Sequence, residues 1–282
     1  MPGTHEVRLH NDEIDFGDLS NLAGHWQGAN GFNMIAVPNQ KGGFELLVAP
    51  YTETLIITKV PATTPNRGME VIENIPTLQY STTITVLGTG SLMHVEGGFW
   101  ELSDPTLNDG FNIFRIASVP HGNAVEAMGN SSKMAGRPNI DSTLSGLPTG
   151  DIPPGQAAGY MDEYIGHQVY PNFSPVTPND TLIQYLDGQI LQGFKVVATT
   201  QLQVSTLNRG GIANIASLQG KVTPSQFDAT FWIEILRDQN GNVYRQLQYS
   251  QRTLIEFPVS QDKPGQTIVW PHINVNTLTA VT

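Results

Sequence analysis

Between Gln226 and Leu236 the chain reads Gln-Phe-Asp-Ala-Thr-Phe-Trp-Ile-Glu-Ile-Leu, with Phe227, Ala229, Phe231, Ile233 and Ile235 at every second position. A period of two places these five side chains on one face of a β-strand, with Asp228, Thr230 and Glu234 on the other. Similar runs, rich in Thr, Val, Ile and aromatic residues and punctuated by Gly, Pro and Asn, recur along the chain. Strands are expected near Trp26 to Val37, Gly43 to Val60, Leu78 to Leu87, Leu92 to Leu102, Asn112 to Val119 and Ala124 to Gly129. A second set is expected near Phe194 to Leu207, Gln226 to Leu236, Val243 to Phe257 and Thr267 to Val281. Asn240-Gly241 between two such runs signals a hairpin.

The two strand sets are separated by a stretch dense in Pro and Gly, including Arg137-Pro138, Leu147-Pro148, Ile152-Pro153-Pro154 and Ser174-Pro175, which cannot sit inside a sheet. After Thr177-Pro178-Asn179-Asp180, the apolar residues Leu182, Ile183, Tyr185 and Leu186 predict one short amphipathic helix ending before Gly188 and closing one end of a barrel. Neither strand set alone would shield its edges. The expected organisation is therefore a flexible segment over residues 1–20 and a single all-β domain over residues 21–282, interrupted by an insertion at residues 135–192. Meandering antiparallel strands with one helix fit an up-and-down barrel of about ten strands, which leaves room for a ligand; a sandwich or jelly roll is the alternative.

With 14 Lys and Arg against 25 Asp and Glu, the net charge of -11 argues against a nucleic-acid backbone or an anionic membrane as partner. Residues 1–20 lack the basic start and apolar core of a signal peptide or anchor, and the expected location is cytoplasmic. Cysteine is absent, so the softer donors open to a metal are seven His and seven Met, of which histidine is the usual haem or zinc ligand. The sequence has no His-Glu-x-x-His helix, no Gly-x-Ser-x-Gly elbow and no phosphate-cradling Gly loop of the usual form.

Gly24-x-Trp26 suits the entrance to a calycin barrel, where glycine lets the chain turn in tightly and the indole plugs the closed end. Arg252 is a candidate cation–π partner for that indole. Four segments then occur in a telling order. Gly24-His25-Trp26-Gln27-Gly28-Ala29-Asn30-Gly31-Phe32 resembles the glycine-spaced first strand of the nitrobindin family, also described as fatty-acid-binding-protein-like. His94-Val95-Glu96-Gly97-Gly98-Phe99 resembles its His-x-Glu-x-Gly-aromatic segment. Arg115-Ile116-Ala117-Ser118 with Gly122, Val125, Glu126 and Gly129 is similar to the hairpin that follows. His272-Ile273-x-Val275 looks like the family's last strand. The 135–192 insertion has no counterpart there, and the family's Gly-x-Gly-x-Tyr spacing is shifted here to Gly28-Ala29-Asn30-Gly31-Phe32.

The resemblance implies a calycin-like barrel holding ferric haem b, with His272 as the iron ligand and His94, Phe231 and Ile233 lining the cofactor. His94 would be the catalytic residue if the haem isomerises peroxynitrite to nitrate as well as binding nitric oxide. From spacing alone, His272 is equally a strand histidine satisfied by a neighbour, and His94 a polar residue paired with Glu96 two positions away on the same face. His121 is expected at a hairpin tip facing water, and His25 on the face opposite Trp26. His5, His10 and His167 carry no site assignment.

A facial metal triad would need His94 and Glu96 joined by His121 or His272. A second reading is a haem-free carrier of a fatty acid or other apolar molecule, with Phe44, Phe231 and Ile233 in the cavity wall. A third reading, suggested by the richness in Thr, Asn, Gln and Pro, is a structural or assembly β protein, for which an interior without a cavity would be the best support. The expected partners are accordingly a small molecule, either haem or an apolar ligand, with neither nucleic acid nor membrane; a homodimer is the open alternative to a monomer.

Overall fold

A computed structural model describes residues 14–38, 44–66, 71–151, 170–218, 222–258 and 265–281. Ten long strands make up the wall, eight with bounds close to the sequence expectation, while those expected to end at Gly129 and Leu207 run on to Ala135 and Asn214. They are β1 (Gly24–Pro38), β2 (Phe44–Lys59), β5 (Thr77–Val86), β6 (Leu92–Leu102), β7 (Ile113–Val119), β8 (Asn123–Ala135), β10 (Lys195–Asn214), β11 (Thr223–Arg237), β12 (Val243–Pro258) and β13 (Thr267–Val281). The short pairs β3 (Thr64–Pro65) and β4 (Asn74–Ile75) form a separate ribbon, and β9 (Thr149–Gly150) adds to the end of β13. Each long strand pairs antiparallel with the next, and β1 pairs with β13 from His25↔Val281 to Met34↔Ile273, so the sheet closes into an up-and-down barrel. Closure removes the open edges that such a sheet would otherwise present.

The first strand is bulged at the seam. Its register shifts between Gly28 and Gly31 against β2 and between Gln27 and Phe32 against β13. The glycines there are required by close approach: a Cβ on Gly28 would lie 2.3 Å from the Thr277 carbonyl oxygen, and one on Gly31 2.3 Å from the Tyr51 ring. Tyr51 thereby lies across the backbone of β1 and reaches the interior.

One end of the barrel is packed shut. Trp26 is fully buried among Leu55, Ile57, Leu78, Trp100 and Leu247, and a 3-10 turn at Gly17–Asn21 adds Leu19 to the plug, with Phe16 and Leu22 beside it. The indole donates to the Leu22 carbonyl at 2.8 Å. Its cation partner is Arg245, 5.0 Å from the ring, whereas the expected Arg252 binds Asp228 at 2.6 Å. Register explains the exchange, because Arg245 lies near the plugged end while Arg252, seven residues on, points outward from the wall.

The helix α1 (Asp180–Leu191) also departs from expectation, in length and in place. It runs through Gly188, where a side chain would meet open space. A mid-helix glycine costs only about 1 kcal/mol, too little to stop a helix anchored by the fully buried Leu182 and Leu186. Instead of capping the barrel, α1 lies against the outer wall, where the Gln248 amide donates to the Leu182 carbonyl at 3.1 Å. Ile140, Phe173 and Leu182 from the described parts of the insertion pack outside the seam with Met34, Ile273 and Val275. Phe32 stacks on Phe173 at 4.8 Å. The Asn240-Gly241 hairpin is present as a five-residue turn, with the Asp238 carboxylate accepting from the backbone N–H groups of Asn240 and Asn242.

Replacing Gly31 by alanine forces the Tyr51 ring or the seam to shift, a cost of about 1–3 kcal/mol for overpacking. Chemical denaturation of Gly31→Ala against wild type measures it; an unchanged midpoint would show that the seam yields freely.

Candidate functional site

Beyond the plug the barrel is hollow. A cavity of about 450 Å³ occupies the half away from the 3-10 turn, within the roughly 300–1,000 Å³ usual for small-molecule sites. The assembly-protein reading therefore lacks the solid interior that would have been its best support. Above the cavity floor the wall carries the apolar Ile35, Ile84, Val119, Ile212, Val222 and Ile255, interrupted by the histidines described below and by Asn33, Asn123 and Asn274. The floor itself is polar, because strand alternation turns Glu53, Tyr80, Glu96, Arg115, Tyr249 and Gln251 inward immediately above Trp100 and Phe231.

Arg115 is the hub of this floor. Only 3% exposed, it gives Nη2 to Glu96 Oε1 at 2.7 Å, Nη1 to Gln251 Oε1 and Nε to the Tyr80 hydroxyl at 3.3 Å. The guanidinium lies 5.2–5.5 Å from the ring centres of Tyr80, Trp100, Phe227 and Phe231, so its charge is met by a carboxylate in plane and by π-faces around it. Glu96 also accepts from the Tyr80 hydroxyl and contacts His94 Nε2 at 3.3 Å. Burial alone would push the Glu96 carboxyl up, but the Arg115 charge with the His94 and Tyr80 hydrogen bonds holds it at about 2.

A second buried carboxylate, Glu53, stands on β2, separated from Glu96 on β6 by the single strand β5. Glu53 accepts from Tyr249 at 2.5 Å, Asn276 at 2.9 Å and Thr82 at 2.8 Å, and the Tyr249 hydroxyl meets that of Tyr51 at 2.7 Å. Burial raises the Glu53 carboxyl, opposed by those three hydrogen bonds and reinforced by the charge of Glu96.

The histidines of interest come together around the cavity. His272 points inward from β13, half-buried, with Nε2 2.7 Å from Asn33 Oδ1 across the seam and 3.5 Å from Asn274 Nδ2. In the tautomer that donates Nε2–H to Asn33 Oδ1, the shorter of the two contacts, the lone pair is on Nδ1, for which the described residues supply no partner; the longer Asn274 Nδ2 contact belongs to the opposite tautomer. Burial, with the nearby His94 and His121, lowers the imidazole to about 4, so it is neutral at physiological pH. His94 lines the cavity from β6 and pairs with Glu96 on one strand face. His121 is exposed at the β7–β8 tip yet reaches back to His94, its Nε2 3.3 Å from His94 Nδ1, and lines the cavity mouth instead of facing only water.

Phe231 lies in the cavity floor, while Ile233 sits in the packed core below it and Phe44 on the far side of the wall against Phe257 and Trp270. His25 is exposed, opposite Trp26, and His5, His10 and His167 lie outside the described residues. Among the described residues no three His, Cys, Asp or Glu converge on a metal, so the facial triad is not assembled.

The sequence reading passed over Asn33, Glu53, Tyr249 and the hub role of Arg115. A signal for two of them was present: Glu53 shares strand parity with Tyr51, Leu55 and Ile57, and Arg115 with Ile113 and Ala117, so each is a charge on a core-facing register.

No family model matches the chain, and no curated protein matches it. Among solved structures it is similar to Rv2717c from M. tuberculosis, with a TM-score of 0.46 and 14% identity over 94% of this chain and 95% of that one. No helix among the described residues is long and apolar enough to cross a membrane.

Two outcomes test the site's electrostatics. Arg115→Met strands Glu96 as an unpaired buried charge and is expected to cost about 3–5 kcal/mol, partly recovered by adding Glu96→Gln; denaturant unfolding of both variants measures it. The His272 ring resonances should stay those of neutral imidazole down to about pH 4. Its folded pKa is depressed, so its contribution to stability is complete above the ordinary value of 6.5 and declines as pH falls toward 4, where the unfolded chain takes up the proton first. A ring titrating near 6.5 would place it in water.

Proposed function

We propose that the barrel binds haem in this cavity, where the His272 imidazole would hold the iron. The observation that carries the proposal is an inward-facing, neutral imidazole whose one ring nitrogen is anchored by Asn33 while the other keeps its lone pair free. Metal-ligating histidines are usually oriented in this way, with the second nitrogen donating to an oxygen. The donor type also fits iron better than a hard cation, and the apolar residues of the upper wall suit a porphyrin face. The four segments that resemble nitrobindin agree with this assignment.

Haem ligated on one side supplies an open coordination position for a diatomic such as nitric oxide, and peroxynitrite isomerisation is the activity the resemblance adds. The chain's own contribution would be to hold the imidazole neutral and oriented and to exclude water behind Ile35, Ile84 and Ile255. His94, tied to Glu96 and His121, would offer a hydrogen bond from the mouth.

A second reading, a haem-free carrier, is favoured by one specific contact: the 2.7 Å Asn33 bond occupies Nε2, the ring nitrogen farther from the backbone and therefore easier to bring against a planar macrocycle. The floor narrows what such a carrier would take. Glu96 already takes the Arg115 guanidinium, so the floor offers a fatty-acid carboxylate no unpaired cation among the described residues, and a neutral or amine-tipped apolar molecule fits better.

Titration of the purified protein with hemin is expected to give a Soret band that His272→Ala abolishes. The same spectrum in the variant would remove His272 as ligand. Native mass spectrometry of material purified without added haem separates the readings: a porphyrin mass supports the first, an apolar organic mass the second.

A further inference from the structure

At the mouth of the barrel two imidazoles face each other. His94 reaches it from β6, and His121 from the tight β7–β8 turn, which the Gly122 N–H closes by donating to the Val119 carbonyl at 3.0 Å. The two side chains thus come from different hairpins, and their meeting is a product of the sheet, not of spacing along the chain.

The His94 ring is fixed by the charged floor beneath it. Its Nε2 lies 3.3 Å from Glu96 Oε2, and Glu96, held as a carboxylate by Arg115, can only accept. Nε2 therefore carries the proton, and in the neutral ring the lone pair is on Nδ1, the nitrogen that meets His121 Nε2 at 3.3 Å. A carboxylate behind one nitrogen and a free lone pair on the other is the arrangement usual for a histidine that binds a metal. Partial burial and the neighbouring His94 lower the His121 imidazole below its ordinary value, so near neutral pH it too offers a lone pair in place of a charge.

Two distances distinguish a hydrogen bond from a metal clamp. A linear N–H···N bond of this length would hold the ring centres about 5.6 Å apart, since each nitrogen would lie on the line joining them. Two imidazoles on one tetrahedral ion, each at the roughly 2.0–2.1 Å usual for zinc, have nitrogens about 3.3 Å and ring centres about 5.2 Å apart. Here the nitrogens are 3.3 Å and the ring centres 5.3 Å apart, so the rings lean toward a point beside the line between the nitrogens.

We propose that His94 and His121 bind a divalent transition metal of the zinc class at the cavity mouth, with its remaining positions open to water. Imidazole nitrogens suit zinc, copper and nickel, whereas calcium and magnesium prefer oxygen. Two protein ligands are fewer than the three-residue groups absent among the described residues, which makes this an open, exchangeable site and not a closed structural one. Bound there, the ion ties the β7–β8 tip to β6 across the entrance. With both His94 nitrogens engaged, metal-bound water takes over from the ring as the hydrogen-bond donor of the mouth. The site does not depend on haem, since neither nitrogen belongs to His272.

Calorimetric titration of the tag-free, haem-free full chain with zinc sulfate tests this. The expected result is a saturable site that His121→Ala weakens by about tenfold or more and His272→Ala leaves unchanged. His121 is exposed in a turn, so its replacement spares the core. No saturable zinc binding, an affinity that survives in His121→Ala, or one that disappears in His272→Ala overturns the proposal. Hemin binding is read separately by its Soret band, so either assignment can fail alone. Independently of any variant, a wild-type crystal soaked in zinc should show an anomalous peak between His94 Nδ1 and His121 Nε2. A crystal with no peak there overturns it as well.

Discussion

Closure of the sheet by β1 against β13 is the constraint from which the interior follows. The seam brings Asn33 and Asn274 into register, and across it Asn33 takes the His272 ring nitrogen. An open sheet would leave those two residues at opposite edges. The seam also explains the spacing of Gly28 and Gly31, which admit the Thr277 backbone and the Tyr51 ring at distances no side chain would allow. The Pro-rich insertion acts on the same seam from outside: Ile140, Phe173 and Leu182 press on Met34, Ile273 and Val275, behind the strand that carries His272. A site built on paired strands and buttressed from behind holds its geometry better than one on a free loop.

Inside, two layers divide the labour. The plug around Trp26 is apolar and solid, and the cavity above it rests on a charged floor. The floor is tolerable in a low-dielectric interior because its charges are matched in place: Arg115 by Glu96 and four aromatic faces, Glu53 by three donors. Such a network contributes little net stability compared with an apolar core, yet loses several kcal/mol when one member is removed.

Most of the fold was legible because it rests on local periodicity. The alternation in Phe227 to Ile235 assigns an inner face that the barrel keeps, and all ten wall strands could be read in the same way. The position of α1 was not legible. Its apolar stripe says that it packs, but the partner surface, the outer register of β11 to β13, is polar at Glu234, Gln246 and Gln248 and reads as solvent-facing until the helix covers it. Arg245 over Trp26 was hidden for a similar reason, since choosing between two arginines on one strand needs the register of closure. His272 and His94 could be picked out by residue type, whereas Asn33 could not, because a lone strand asparagine carries no signal until the seam places it opposite an imidazole.

The central claim is that the last strand presents an imidazole to a ligand inside a closed barrel. Iron anomalous diffraction from crystals of the haem-loaded protein tests it most directly. The account predicts one iron peak within the hollow half of the barrel, at bonding distance from a His272 ring nitrogen and on the mouth side of Arg115. A peak beside a surface histidine such as His25, or iron in the barrel with His272 still turned onto Asn33 and out of reach, would contradict it.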